Sequence, residues 1–96
     1  MRQPCYVYIM ANPWSRVLYV GMSCQFPVRI ASHRSREVEG FTAKYNVTDL
    51  VYYEEFEGPR AAIEREKQVK KYRREKKVAL IEGMNPDWRD LSKDIA

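Results

Sequence analysis

Two stretches near the start of the chain decide how it folds: Cys5-Tyr6-Val7-Tyr8-Ile9-Met10 and, after a short interruption, Val17-Leu18-Tyr19-Val20-Gly21-Met22. Both are rich in β-branched and aromatic residues, the side chains that suit a pleated surface. Side chains alternate across a strand, so Val7 and Ile9 share one face while Tyr6 and Tyr8 share the other. Between the stretches, Asn12, Pro13 and Ser15 supply turn chemistry, which predicts a hairpin with Trp14 at its tip. In the second stretch Tyr19 and Gly21 lie on one face. Gly21 has no side chain and lets another group approach the sheet closely.

Working outward, Ser23 reads as a helix N-cap and Pro27 suits the first turn. Phe26, Ile30 and His33 recur at the spacing of one helical face. This helix fades near Gly40, and a third strand is expected from Leu50 to Phe56, with Val51 and Tyr53 on one face and Tyr52 and Glu54 on the other. Gly58 and Pro59 stop it and open a second helix predicted to run to about Ile81, before Gly83, Asn85 and Pro86. Trp88 and Leu91, three apart, predict a short closing helix that docks on the core. The order is strand, strand, helix, strand, helix, tail.

Composition bounds the function classes. The chain has 96 residues, 45% hydrophobic and 31% charged, which fits one globular domain spanning residues 1–96 rather than a disordered chain. The longest apolar run is far below a membrane span and the N-terminus lacks a secretory pattern, so a soluble, cytoplasmic protein with no membrane partner is expected. In that compartment Cys5 and Cys24 are expected as reduced thiols. The net charge of +4 and pI near 9.2 favour an anionic partner.

The second helix concentrates that charge, with nine basic residues from Arg60 to Lys77. At about 100° per residue, Ala62, Glu66 and Val69 fall on one side and Glu64 on roughly the opposite side. A carboxylate in an apolar stripe has to be paired, hydrogen-bonded or bound to a cation. For Glu66 an ion pair with a basic neighbour is therefore the first explanation, and a functional role the second. Arg29 either snorkels to solvent or presents a planar fork to phosphate, and a histidine placed like His33 is more often a core or surface residue than a catalyst.

Taken together, Tyr6-Val7-Tyr8-Ile9-Met10 with Asn12, Leu18-Tyr19-Val20-Gly21-Met22-Ser23, and Arg29 and His33 four apart resemble the GIY-YIG nuclease superfamily. Gly40-Phe41-Thr42-Ala43-Lys44-Tyr45, Leu50-Val51-Tyr52-Tyr53-Glu54, Arg65-Glu66-Lys67-Gln68-Val69-Lys70 and Asn85-Pro86-Asp87-Trp88 extend the likeness to the short, UPF0213-like bacterial single-domain branch. The resemblance implies an α+β fold, a small three-stranded antiparallel sheet flanked by helices, with metal-assisted phosphodiester hydrolysis on one sheet face. It implies Tyr8 and Tyr19 as the motif tyrosines, Arg29 as the helix arginine, His33 as its companion and Glu66 as the carboxylate for one Mg²⁺ or Mn²⁺. Sliding the motif to Glu64 is the alternative register. Asn85 matches the asparagine that closes the family's site. Two departures stand out: Tyr6 replaces the glycine that opens the first motif, and Gln25 stands where an acidic residue often precedes the helix arginine.

The expected partner is nucleic acid, DNA before RNA, with Gly21, Lys44, Lys70 and Asn85 as substrate contacts and Trp14, Phe41 or Tyr45 as stacking surfaces. An unassisted phenol titrates near ~10, so Tyr8 or Tyr19 needs the metal or His33 to activate water. Two other readings stay open: a nucleic-acid-binding module with little catalysis, and a protein-interaction domain in a repair or RNA-processing assembly whose partner supplies targeting.

Overall fold

A computed structural model describes residues 4–12, 14, 17–26 and 47–94. Its centre is a three-stranded antiparallel sheet in the order β2-β1-β3, formed by β1 (Cys5–Ala11), β2 (Leu18–Ser23) and β3 (Asp49–Phe56). The predicted hairpin is present, with Tyr8 opposite Gly21 and Met10 opposite Tyr19. Ser23, expected as a helix N-cap, ends β2, and its Oγ accepts the Gln25 N–H at 2.9 Å. The helix predicted over Ile30 and His33 lies outside the described residues. Two helices follow β3: α1 (Pro59–Lys70) and α2 (Arg74–Met84). The fold is α+β, as expected, and among the described residues no helix is long and apolar enough to cross a membrane.

The sheet separates two apolar clusters. Cys5, Val7, Ile9 and Val20 pack with Ala62 and Val69 of α1 and Ile81 of α2. Tyr8 and Met10 pack on the other face with Phe26, Val47, Leu50 and Leu91. Two-residue alternation in β1 accounts for the division.

Four details depart from the sequence reading. In β3, Ile9 pairs with Tyr52 and Met10 with Leu50, so Val51 is an extra residue at a bulge. The bulge lets Val51 and Tyr52 both join the helix-side cluster, whereas strict alternation had put them on opposite faces.

The single helix predicted to Ile81 is broken. Lys71 and Tyr72 close a tight turn on Gln68 and Val69, and Arg73 is extended. In one continuous helix Ile81, twelve residues beyond Val69, would be rotated by about 120° at ~100° per residue. The break re-aims α2 so that both side chains are buried, each worth about 1.5–3 kcal/mol.

The closing segment is a short 3-10 turn, Leu91–Asp94. Trp88 packs on the helix-side cluster and Leu91 on the opposite one, so the tail straddles the edge of the sheet. There Asp90 Oδ1 accepts the N–H of Leu50 (3.1 Å) and of Ser92 (3.0 Å), giving a partner to a backbone donor of the outer strand β3.

The cysteines are not free thiols: Cys5 and Cys24 are disulfide-bonded. Register is the reason. Tyr6 pairs with Ser23, so Cys5 and Cys24 are the next residues outward on adjoining strands, a proximity that their separation of 19 residues conceals.

Candidate active site

Tyr8 is the geometric centre of the tyrosine face. It is 1% exposed, and its ring lies across the backbone of Gly21. A Cβ built on Gly21 would stand 2.7 Å from both Cζ and Oη of Tyr8, and 3.0 Å from Cε2 of Tyr19. Glycine is thus a steric requirement, because any side chain there would occupy the volume where the two tyrosines converge. The hairpin register and a missing methyl group together bring Tyr8, Gly21 and Tyr19 into one place.

Phe26 organises the rest of this face. Its ring stacks on Tyr6 with centroids 4.3 Å apart and planes 16° from parallel, and it meets Tyr8 at 5.3 Å and Tyr53 at 5.8 Å. Such offset and tilted pairs are the favoured aromatic arrangements. Tyr6 supplies one wall of this box and donates from Oη to Glu55 at 3.1 Å. Burial and that carboxylate push its hydroxyl above its ordinary value. The box fixes Phe26, three residues before Arg29 in sequence. Arg29, His33 and Lys44 themselves lie outside the described residues.

Glu66 is half-buried between Ala62 and Val69, while Glu64 is exposed, as the helical projection predicts. The Glu66 carboxylate pairs with Lys70 Nζ at 3.3 Å. Because α1 covers the face of Val7 and Ile9, Glu66 and Tyr8 stand on opposite sides of the sheet. The edge strand β2 carries Tyr19 on one face and contacts α1 with the other. Lys70 is exposed beside Glu66, at the start of a basic run, Lys70, Lys71, Arg73, Arg74 and Lys76, that reaches solvent around the helix break.

Asn85 is 3% exposed, and its side-chain amide is committed to backbone. Nδ2 donates to the carbonyls of Val51 (3.2 Å) and Arg89 (2.7 Å), and Oδ1 accepts the Arg89 N–H (3.1 Å). These bonds clamp the tail to β3. They also shape the turn that holds Trp88 at φ 55°, a left-handed conformation uncommon for a bulky side chain.

A second polar constellation escaped the sequence reading. Arg65 forks onto Glu54, Nε to Oε1 at 2.9 Å and Nη2 to Oε2 at 3.0 Å, and Nη1 reaches Gln68 and the Tyr72 hydroxyl. Tyr52 donates to the same carboxylate. Burial alone would raise the Glu54 carboxyl, but the bonds from Arg65 and Tyr52 prevail and hold it below its ordinary range. Burial and the Glu54 carboxylate push Tyr52 up to about 12, and Glu54 holds the Arg65 guanidinium still more firmly protonated. This network ties α1 to β3 and catches the helix break, where Lys76 Nζ sits 4.1 Å over the Tyr72 ring. Glu54 and Arg65 are eleven residues apart on different elements, so no local spacing reveals them.

Residues 4–79 match the profile of the GIY-YIG catalytic domain. The chain belongs to the GIY-YIG family. It is also similar to UPF0213 proteins, at 35% identity over 80% of this chain and 85% of the relative in Haloquadratum walsbyi. A relative in Staphylococcus haemolyticus is 32% identical over 80% of this chain and 93% of its own, and one in Clostridium perfringens is 32% identical over 94% and 96%. No solved structure matches the chain. GIY-YIG membership makes this a domain of nuclease type.

Proposed function

We propose that this GIY-YIG protein is a metal-dependent endonuclease that hydrolyses phosphodiester bonds, in DNA before RNA. The observation that carries the reading is the convergence of Tyr8 and Tyr19 over Gly21. In-line attack on a phosphodiester needs an oriented water, charge neutralisation on the phosphoryl oxygens and support for the leaving oxygen. Two phenol groups held by a rigid hairpin can orient a water by hydrogen bonding, with His33 as the group that accepts its proton. Arg29 binds the phosphate through its planar fork. Lys44 and Lys70 contact the phosphate backbone, and Asn85 holds the segment that borders the site.

Glu66 fits a hard cation in one respect: it offers two carboxylate oxygens, and its partner Lys70 has a side chain 53% exposed, able to swing to solvent. Mg²⁺-like ions keep most of their waters and take one or two carboxylates plus substrate oxygens, and Glu66 offers one such carboxylate. Bound there, on the reverse of the sheet from Tyr8, Mg²⁺ or Mn²⁺ would supply charge neutralisation to a phosphoryl group that lies at the β2 edge, where α1 contacts the strand carrying Tyr19.

A cytoplasmic site of action goes with a nucleic-acid substrate. The Cys5–Cys24 bond pulls the other way, since cytosolic thiol pools keep most disulfides reduced; alkylating thiols in intact cells before non-reducing electrophoresis would report which state holds.

The test is incubation with labelled single-stranded, duplex and branched DNA and RNA in Mg²⁺, Mn²⁺ or EDTA. Cleavage is expected with metal and not in EDTA, with a loss of about a hundred-fold or more in Arg29→Ala and in Glu66→Ala at unchanged circular dichroism. Normal cutting by Glu66→Ala with a dead Glu64→Ala would move the carboxylate to Glu64 and sink this assignment. The burial of Tyr8 favours a second reading, a nucleic-acid-binding module without catalysis, for which binding without cleavage in any metal is the signature. Absence of binding at low salt would leave the protein-interaction reading.

A further inference from the structure

The hairpin tip carries an indole that the fold holds in water. Beyond the last strand pair, Ala11 with Leu18, the Asn12 N–H donates to the Val17 carbonyl at 3.0 Å and closes the two strands. The Asn12 side chain, only 7% exposed, then turns back so that its Oδ1 accepts the Trp14 N–H at 2.7 Å. Trp14 therefore hangs from a buried side chain. Its own side chain is 79% exposed, far more than the next large apolar side chains among the described residues, Met84 at 46% and Ile63 at 41%.

We propose that Trp14 is a stacking platform for an unpaired base of the strand whose phosphodiester reaches the tyrosine centre. This rests on the nuclease reading and narrows its substrate class. An indole face stacks on any base without sequence preference, and a chain of net charge +4 draws in the polyanion that carries such bases. A protein-docking surface would call for a contiguous apolar patch, whereas the other exposed large apolar side chains among the described residues, Met84 and Ile63, sit on two separate helices, α2 and α1.

Distance along the hairpin sets the register. The tyrosine centre is level with the Tyr8–Gly21 pair, and Trp14 lies six residues beyond Tyr8, so the separation is at most about 20 Å at ~3.3 Å per residue. Stacked nucleotides advance about 3.4 Å per step along one strand. Trp14 thus meets a base within about six steps of the scissile phosphate. A substrate with unpaired bases there, a single strand or the mouth of a branch, engages it, and continuous duplex does not.

The experiment is anisotropy titration in EDTA at low salt, using a short labelled single strand, its duplex, and a strand of equal length made largely of abasic sites. Trp14→Ala is expected to bind the single strand about ten-fold more weakly or worse, Trp14→Phe to keep most of the affinity, and neither to change binding to the abasic strand. If wild type binds the single strand and Trp14→Ala matches it, the platform is refuted while the nuclease reading stands. Equal weakening of Trp14→Ala on the abasic strand refutes it too, as does a blue shift of Trp14 emission on anionic vesicles with neither quenching nor shift on the oligonucleotide, the Trp88 signal being subtracted with Trp14→Phe. If wild type binds none of the three nucleic acids, both the nuclease reading and the platform fall.

Discussion

The ring of Tyr8 occupies the volume that any side chain at Gly21 would need, with Cζ and Oη each 2.7 Å from where a Cβ would stand. Backbone φ has no part in this; the restriction is contact across adjoining strands. Tyr8 is buried beneath Phe26 and cannot easily move aside. Gly21→Ala is expected to cost about 1–3 kcal/mol by overpacking and to lower cleavage further than the stability loss explains, because the rings of Tyr8 and Tyr19 that converge on Gly21 would be pushed apart. Urea denaturation beside initial rates on a branched substrate checks this; an alanine variant with wild-type stability would refute the contact.

The Tyr52–Glu54–Arg65 network makes stability depend on pH at both ends of the scale. A tyrosine raised from ~10 to about 12 in the fold holds its proton more tightly folded than unfolded. Its contribution is complete below pH ~10 and lost as pH rises toward about 12. Glu54, lowered in the fold, contributes above the ordinary carboxylate range and loses that contribution as pH falls through its folded value. Thermal melts of Tyr52→Phe should therefore lack part of the alkaline decline of the wild type, a difference on the order of 1 kcal/mol. Superimposable alkaline profiles would show that Tyr52 does not titrate as argued.

Closing Cys5 to Cys24 restricts the unfolded chain. With a separation of 19 residues, the loop is of a size for which reduction costs roughly 2–4 kcal/mol. Since the bond joins strands already paired in register, reduction should leave the circular dichroism of the folded state unchanged and lower only the denaturation midpoint. Dithiothreitol and the Cys5→Ser, Cys24→Ser double variant should agree; no shift in either would contradict the bridge.

Lys70 competes with any cation for Glu66, from which it lies 3.3 Å away. Lys70→Ala is expected to lower the half-saturating Mg²⁺ concentration for cleavage by a few-fold, since an exposed pair contributes up to about 1 kcal/mol, while weakening nucleic-acid binding and flattening its salt dependence. A metal titration of activity, read separately from binding in EDTA, distinguishes the two effects. An unchanged or raised metal requirement would count against Glu66 as the ligand.

Much of this protein was legible before any coordinates. Two-residue alternation divided Val7 and Ile9 from Tyr6 and Tyr8, Gly58 and Pro59 marked the start of α1, and helical projection turned Glu66 inward and Glu64 outward. These outcomes follow from backbone sterics and side-chain periodicity acting over a few neighbouring residues. Tertiary structure alone decided that Tyr8 overlies Gly21, that Cys5 meets Cys24, that Val51 bulges, that the helix breaks at Lys71–Arg73 to bury Val69 and Ile81 together, and that Glu54 engages Arg65. Each depends on strand register or on how one element packs against another, free energies shared between distant parts of the chain that leave no local period to read.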